Sequence, residues 1–325
     1  MLEELKKILI IEAHPDDIEL SMGMTLCRLA DHGARIELVV CTDGNVNGDA
    51  KHRLREAQTA CEVLGIKTVH HLGFRDGELR SHYDALANKV ETLLDNGYDA
   101  VFLHSLQDRH QDHRTVAQVG KLLAEPLSMA SNIFCFESPS VLPHFSPEMF
   151  VLGDKNMAER KEQLMDLHKS QIAQKRIFSL RRARSSLAYW GERVMPYRHD
   201  VYAEAFEVVS LAKLPSHDGH NLVVGSQTKG HDVARELVGL LGESKTILAV
   251  PHSDGVRGMV AEIEQRIEGN DIQSLFIPKH DDLGYAAIAA VREHPANIFV
   301  YSELNGNATV RMGDITLGVE QVVIE

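Results

Sequence analysis

The sequence predicts an α/β protein with a mostly parallel sheet, helices on both of its faces, and a second, smaller α/β domain after it. Three observations lead to this prediction. Short apolar runs alternate with amphipathic stretches of helical period, glycines close several helical stretches, and the alternation restarts after a polar stretch. Strands that alternate with helices form parallel sheets through right-handed crossovers.

The first unit begins with the apolar run "KILIIEA" at residues 7–13, which is typical of a buried strand. Further strands are predicted at residues 35–44, 68–74 and 98–105, and helices at residues 19–33, 50–65 and 81–97. Gly33 and Gly65 supply the helix ends. This order predicts a Rossmann-like sheet, in which ligands bind beyond the carboxyl ends of the strands.

A second unit is predicted after the stretch "AKLPSHDGHN", whose proline and glycine indicate a linker. Beyond it, strands are predicted at residues 222–226, 245–251, 274–279 and 297–302, with helices at residues 232–242, 257–269 and 283–294. We therefore divide the chain into residues 1–212 and an accessory α/β domain at residues 213–325. Its position after a complete unit favours substrate recognition, regulation or assembly.

Composition excludes several classes of protein. The 325 residues carry a net charge of −13, which argues against broad nucleic-acid binding. The apolar run near the N-terminus is too short for a signal sequence, and no window reaches the roughly 20 apolar residues of a membrane span. The four cysteines are far apart in sequence and are interpreted as reduced core thiols. A cytosolic location is the simplest expectation, and a homo-oligomer stays open.

The segment "AHPDD" follows the first strand directly. His14 and Asp17 are three residues apart, and imidazole nitrogens and carboxylate oxygens are good zinc ligands. Asp16 would then lie beside the metal, free to act as a base. For this segment alone, the simpler interpretation is that Asp17 caps the next helix.

A second group of histidines and aspartates follows the strand at residues 98–105. The segment "HSLQDRHQDH" contains these residues: His104, Asp108, His110, Asp112 and His113. Two such segments at one sheet edge match a metal site with three protein ligands and an open position. A carboxylate beside a ligating histidine would orient its ring.

The pairing of "AHPDDIEL" with the downstream histidine segment resembles the LmbE / PIG-L family of zinc-dependent N-deacetylases. The segments "TDGNVNGD", "RLRE", "LGFRDGEL", "FESPS", "HKSQ" and "YAEAF" resemble later landmarks of that family. The resemblance covers roughly residues 6–212. It implies removal of an acetyl group from an acetamido sugar of the N-acetylglucosamine type, or from its conjugate.

The resemblance also implies roles for individual residues. His14, Asp17 and His113 would hold Zn²⁺ or another divalent metal. Asp16 would take a proton from the attacking water, and a protonated His110 would stabilise the oxyanion. Asp112 would hydrogen-bond His110, and Arg53 would bind substrate or brace Asp16.

Two alternatives of other classes remain. One is a sugar- or nucleotide-binding sensor with an altered site, which the intact Asp16 and His110 disfavour. The other is a metal hydrolase acting on another amide or an ester. A nicotinamide dehydrogenase is disfavoured because no G-x-G-x-x-G follows the first strand.

Several weaker motifs have both a structural interpretation and a ligand-binding one. The basic stretch at residues 175–184 is either a solvated face or an anchor for an anionic group of the substrate. Tyr189 and Trp190 either pack in the core or line a sugar pocket. In the accessory domain, "GSQTKGHD" is a weak candidate for phosphate binding, and "PHSDG" and "KHDDLG" are interpreted as helix caps rather than metal ligands.

Overall fold

The structure is a computed structural model. It describes these residues: 5–94, 97–123, 132–174, 178–195, 200–210, 220–224, 235, 246–252, 256–270, 272–277, 287, 290, 297–300, 311–312 and 315–316. Most of the predicted linker, the "GSQTKGHD" and "KHDDLG" segments, and most of two predicted accessory helices lie outside the described residues; the last two linker residues, His220 and Asn221, begin a strand.

The first unit alternates strands and helices as predicted as far as its fifth strand, after which a second strand and then three helices follow in succession. Its strands are β1 Lys7–Glu12, β2 Arg35–Thr42, β3 Thr68–Phe74, β4 Ala100–His104, β5 Asn132–Phe136, β6 Met149–Gly153 and β7 Tyr202–Ser210. Its helices are α1 Asp17–Asp31, α2 Ala50–Leu64, α3 Tyr83–Leu94, α4 Gln111–Leu123, α5 Lys155–Met165, α6 Lys169–Gln174 and α7 Leu180–Val194. The predicted β3 has the same bounds in the structure.

Five strands of this unit run parallel, in the order β3-β2-β1-β4-β5. Beyond them, β7 pairs antiparallel with β5 and with β6. The predicted α/β class with a mostly parallel sheet is thus confirmed, with antiparallel strands added on one side.

Strand β1 shows why this sheet needs helices on both faces. Ile8 and Ile10 belong to one apolar core, with residues of α1, whereas Leu9 and Ile11 belong to a second core, with residues of α3 and α4. All four side chains are buried, which explains a continuous apolar run where a half-exposed strand would alternate.

The accessory strands extend the same sheet. They are β8 His220–Val224, β9 Thr246–Ala249, β10 Ile272–Ile277 and β11 Asn297–Val300, and the described helix α8 spans Val256–Ile267. They run parallel in the order β11-β10-β8-β9, and Ile298 of β11 pairs antiparallel with Phe150 of β6. A short antiparallel pair follows, β12 Arg311–Met312 and β13 Ile315–Thr316. Among the described residues, no helix combines the length and apolar character needed to cross a bilayer.

Helix α1 is interrupted at Met22, whose φ and ψ of −131° and 30° are not helical. Charged side chains hydrogen-bond backbone groups beside this interruption. Glu204 of β7 accepts hydrogen bonds from the amides of Met24 and Thr25 at 2.9 and 2.7 Å, and Lys161 of α5 donates to the Ser21 carbonyl at 3.1 Å. Lys161 and Glu204 also pair at 2.7 Å, so the break is stabilised by a buried ion pair.

Candidate metal centre

The two histidine–aspartate segments meet at one edge of the sheet. Strands β1 and β4 are parallel neighbours, so their carboxyl ends lie side by side. After β1 the chain makes a tight turn, in which the amides of Asp16 and Asp17 donate to the His14 carbonyl. The Asp17 carboxylate accepts the His14 amide at 2.8 Å and stands at the start of α1.

Three side-chain groups face one another in this turn. His14 Nδ1 lies 3.2 Å from His113 Nε2, and the Asp17 carboxylate lies 3.3 Å from the first and 3.4 Å from the second. Tetrahedral ligands held about 2.0–2.1 Å from a zinc ion stand about 3.3–3.4 Å apart. The spacing and chemistry of this trio therefore fit a zinc-sized divalent ion.

Other acidic and histidine side chains crowd the same place. Besides the trio, three groups have atoms close enough to share an ion: His14–His110–His113, Asp17–His104–His113 and His14–Asp76–Asp112. Each of these groups shares at least one member with the trio. They describe one centre with several donors rather than separate sites.

Carboxylates hold the far nitrogens of both histidines. His14 Nε2 lies 3.1 Å from Asp76 and 3.4 Å from Asp112, and His113 Nδ1 lies 2.8 Å from Asp108. Such partners fix the ring orientation and leave the other nitrogen to face a metal. In turn, Asp108 accepts hydrogen bonds from the hydroxyls of two serines after β5, Ser138 and Ser140.

The carboxylates of this cluster shift the pKa values of its histidines. Burial disfavours charge on His14, but Asp17 and the other carboxylates raise the pKa of its ring well above the ordinary value. Burial and Asp17 compete in the same way at His113, whose pKa is raised to about 9. Despite its burial, the pKa of Asp17 is lowered by His113, His104 and His14. The site thus favours positive charge among its carboxylates, and metal binding would release protons.

Asp16 and Arg53 form a buried pair beside the trio. Arg53 Nη2 lies 3.0 Å from Asp16 Oδ1, and Nη1 donates to the Gly44 carbonyl at 2.8 Å. Gly44 has a φ of +65°, and a Cβ there would meet the guanidinium at 2.5 Å. Arg53 is only 1% exposed, which fits the bracing alternative better than direct substrate binding.

The contacts of Asp112 correct one expectation. We expected its carboxylate to hydrogen-bond His110, but it accepts from the amides of Gly77 and Leu79 at 2.6 and 3.2 Å and faces His14. The backbone amide of Asp112 donates to His110 Nδ1 at 3.3 Å. The reason is that both residues stand at the start of α4, where the side chain of Asp112 reaches the loop after β3.

His110 is only partly buried and lies beside the trio, with its ring centroid 4.7 Å from those of His14 and His113. Burial, together with charge on these two rings, lowers its pKa. Because Nδ1 accepts the Asp112 amide, the ring carries its proton on Nε2. We expected a protonated ring; a neutral ring with an Nε2 donor fits these contacts better.

Sequence reasoning missed the part played by Asp76. It was noted only as a landmark after β3, and its contact with His14 depends on how the loop after β3 folds. Asp108 lay inside the predicted cluster, and its contact with His113 fulfils the expectation of an orienting carboxylate. The "FESPS" segment was a further indication of this site, because its Ser138 and Ser140 donate hydrogen bonds to Asp108.

The weaker motifs have structural partners. Trp190 Nε1 donates to Glu137 at 2.9 Å, and Tyr189 is 53% exposed with Arg193 near its ring. In the basic stretch, Arg182 donates to the Pro139 carbonyl at 2.7 Å and Arg184 pairs with Glu162 at 2.7 Å. Residues 175–177 lie outside the described residues.

Known structures share this architecture. The N,N'-diacetylchitobiose deacetylase of Pyrococcus horikoshii, solved with its inhibitor MPG, superposes with a TM-score of 0.52 at 24% identity, covering 64% of this chain and 85% of that one. The conserved protein TT1542 of Thermus thermophilus superposes with a TM-score of 0.52 at 26% identity, and the superposition covers 66% of this chain and 98% of that one. The 4-carboxy-2-hydroxymuconate hydratase GalB of Pseudomonas putida superposes with a TM-score of 0.51 at 19% identity, and the superposition covers 65% of this chain and 99% of that one. Since a hydratase is among these neighbours, the fold alone does not decide the chemistry.

Proteins of similar sequence indicate the family more specifically than the fold does. Residues 9–124, which contain every residue of the trio, match the family described as PIG-L, GlcNAc-PI de-N-acetylase. A diacetylchitobiose deacetylase of Thermococcus kodakarensis is 39% identical over 163 residues, 46% of this chain and 56% of that protein. The uncharacterized deacetylase YaiS of Escherichia coli is 33% identical over 172 residues, 51% of this chain and 91% of YaiS. Because the match spans nearly all of YaiS, and residues 9–124 with both histidine segments match the family description, this chain belongs to the PIG-L (LmbE) family.

Proposed function

We propose that the protein is a metal-dependent deacetylase that hydrolyses the acetamido group of an N-acetylglucosamine-type sugar or its conjugate. The observation that carries this proposal is the trio of His14, Asp17 and His113, whose facing atoms lie 3.2–3.4 Å apart. The diacetylchitobiose and glucosaminyl-inositol deacetylases among its relatives support the class of substrate.

The trio would hold the ion, with zinc as the first choice for two nitrogens and one oxygen. When bound, such an ion polarises a carbonyl group and lowers the pKa of a water to about 7. Asp76, Asp112 and Asp108 keep the two histidine rings turned so that His14 Nδ1 and His113 Nε2 face the trio's centre.

Asp16 is the general base. The guanidinium of Arg53 stands 3.0 Å from one of its oxygens and fixes the direction of the carboxylate. Asp16 accepts a proton from the attacking water as the oxygen bonds to the amide carbon. This use of Arg53 as a brace also favours an enzyme over a sensor with an altered site.

His110 is the hydrogen-bond donor to the substrate carbonyl. Its Nε2–H would hydrogen-bond the carbonyl oxygen as negative charge develops there, a type of contact that strengthens in the transition state. As the bond between carbon and nitrogen breaks, Asp16 passes the proton that it took from water to the leaving nitrogen, and the amine and acetate are released. The backbone amide of Asp112 keeps the ring in the tautomer that this step needs.

The test combines metal content with acetate release. Protein purified without chelator should contain about one divalent ion per chain and release acetate from a panel of acetamido sugars; a chelator should stop the reaction, and zinc should restore it. Asp16→Asn should keep the ion and lose acetate release. A metal-loaded wild type that hydrolyses only esters or other amides would favour the alternative hydrolase, and one that binds sugar without turnover would favour the sensor.

A further inference from the structure

One buried histidine beside the metal centre, His104, has no part in the proposed mechanism. It is the last residue of β4, the strand that pairs with β1, and it is 0% exposed. Its Nδ1 has no hydrogen-bond partner within the described part of the chain. Both polar contacts of the ring are made by Nε2, with the Ala13 amide and the Asp17 carboxylate, so they are directed at the metal centre.

His104 holds the backbone of the N-terminal histidine segment. The amide of Ala13, the residue directly before His14, donates to His104 Nε2 at 3.1 Å. The carbonyl of Ala13 accepts from the amide and the hydroxyl of Thr42 at 2.9 and 2.8 Å. Ala13 is fully buried, so its amide needs a partner inside the protein. His104 and Thr42 together fix the backbone on both sides of Ala13, and hence the start of the His14 turn.

The same ring also packs on the ligand from the second segment. The His104 and His113 rings are stacked, with centroids 3.8 Å apart and an angle of 18° between their planes. Phe136 of β5 packs against His104 with its centroid at 4.7 Å, which restrains the His104 ring in turn. Asp108 fixes the direction of His113 Nδ1, and the stacked ring fixes the plane of His113.

The alternative role for His104 is that of a fourth ligand. Its Nε2 lies 3.2 Å from the Asp17 carboxylate and forms, with Asp17 and His113, a group whose atoms are close enough to share an ion. An unprotonated imidazole nitrogen has one lone pair, however, and at His104 Nε2 it accepts the Ala13 amide. An ion bound there would leave this buried amide without its acceptor, which is costly. The contacts therefore favour positioning over ligation.

We propose that His104 is a positioning residue of the metal centre, which joins the two ligand-bearing segments by holding the Ala13 amide and stacking on His113. This inference deepens the proposed function, and only its effect on turnover rests on that function. Because His104 is fully buried, it does not reach substrate. Its loss should therefore alter metal binding and kcat and leave KM unchanged.

Two substitutions separate the two contacts. His104→Gln places an amide oxygen near the position of Nε2 and can still accept from Ala13, but it removes the stacked ring. His104→Phe keeps a ring beside His113 but removes the acceptor. Val101→Ala is the matched control, because it removes buried volume from the same strand and its side chain lies on the opposite face of β4.

Each protein is stripped of metal, and its zinc affinity is measured by competition with a chelator. The visible absorption bands of the Co²⁺-loaded protein report the geometry of the ligands. Both His104 variants should still bind about one ion per chain at saturation, with zinc affinity weakened about 10–100-fold and the Co²⁺ bands shifted. For N,N'-diacetylchitobiose, kcat should fall about 10–100-fold while KM stays within about twofold of wild type. Val101→Ala should lower Tm and leave the zinc affinity and Co²⁺ bands unchanged.

Three outcomes would overturn the inference. Less than about a tenth of an ion per chain at saturation would make His104 a ligand. A lower Tm with unaltered zinc affinity and Co²⁺ bands would make its role structural only, and a raised KM with normal kcat would assign it to substrate binding. The metal measurements also separate this inference from the proposed function. If wild type releases no acetate, yet both variants weaken zinc binding and shift the Co²⁺ bands, the positioning role stands while the proposed activity fails.

Discussion

Nδ1 of His14 and Nε2 of His113 lie 3.2 Å apart, although 99 residues separate them along the chain. Each nitrogen also stands within 3.4 Å of the Asp17 carboxylate. Two imidazole rings come this close, nitrogen to nitrogen, when they share a proton or an ion, and the surrounding carboxylates supply the charge that favours either.

The first prediction concerns metal content. His113→Ala removes one of three ligands, so we expect bound metal, measured by elemental analysis, to fall from about one ion per chain to less than a tenth of that. His71→Ala, at an exposed position of β3, serves as the control and should retain the ion. Full metal content in the His113 variant would rule out this ligand set.

The second prediction concerns Asp108, whose carboxylate lies 2.8 Å from His113 Nδ1, the ring nitrogen that faces away from the trio. Asp108→Asn keeps the size of the side chain but removes the charge, so we expect the metal affinity to weaken about 10–100-fold. Competition with a chelator of known affinity measures this change. Asp31→Asn, in a surface pair with Arg160, should leave the affinity unchanged. An unaltered affinity in the Asp108 variant would contradict the positioning role.

The third prediction concerns Arg53, whose guanidinium holds both Asp16 and the Gly44 carbonyl. Lysine has no planar fork and cannot make both contacts from one position. Arg53→Lys should therefore lower kcat for acetate release by about 10–100-fold while the bound metal stays, because a misplaced base slows proton transfer. Arg55→Lys, exposed on the same helix, is the matched control. A KM effect with normal kcat would instead favour the substrate-binding alternative.

The fourth prediction concerns the pH dependence of stability. Burial disfavours charge on His168, but Glu19, at 3.4 Å, raises the pKa of the ring above its ordinary value. The charged ring therefore stabilises the fold fully below about pH 6.5, the pKa of an unfolded histidine, and this contribution disappears as pH rises through the folded pKa.

Urea unfolding of the metal-loaded protein at a series of pH values measures this effect. From about pH 6.5 upward, the free energy of unfolding of wild type should fall more steeply than that of His168→Gln. His144→Gln, at an exposed turn position, should follow wild type. Parallel curves for wild type and His168→Gln would show that the pair contributes nothing.

Local patterns predicted the parallel half of the fold well. Strand β1 was visible because both of its faces are buried, which makes its apolar run continuous. The antiparallel placement of β6 and β7 was not visible, because strand direction depends on pairing partners distant in sequence rather than on the pattern within a strand. The boundary at residues 212 and 213 stays a prediction, since it lies outside the described residues.

The site was predictable where its residues are close in sequence. The spacing of His14 and Asp17 and the shared sheet edge predicted that the two segments would meet, whereas the selection of His113 from the second segment came from the family resemblance. The contact of Asp76 with His14 could not be predicted, because it depends on the loop after β3, two strands away from β1. The family resemblance also misled us about Asp112, whose carboxylate turns to that loop instead of to its neighbour His110.

Strand β6 has β7 on one side and β11 on the other, where Phe150 meets Ile298. The C-terminal strands therefore cover the outer edge of β6 and extend the sheet. A chain shortened after residue 212 would bare the amides and carbonyls along that edge, and an uncovered strand of this kind recruits another. Such a fragment would then acquire a tendency to dimerise or precipitate through that bared strand.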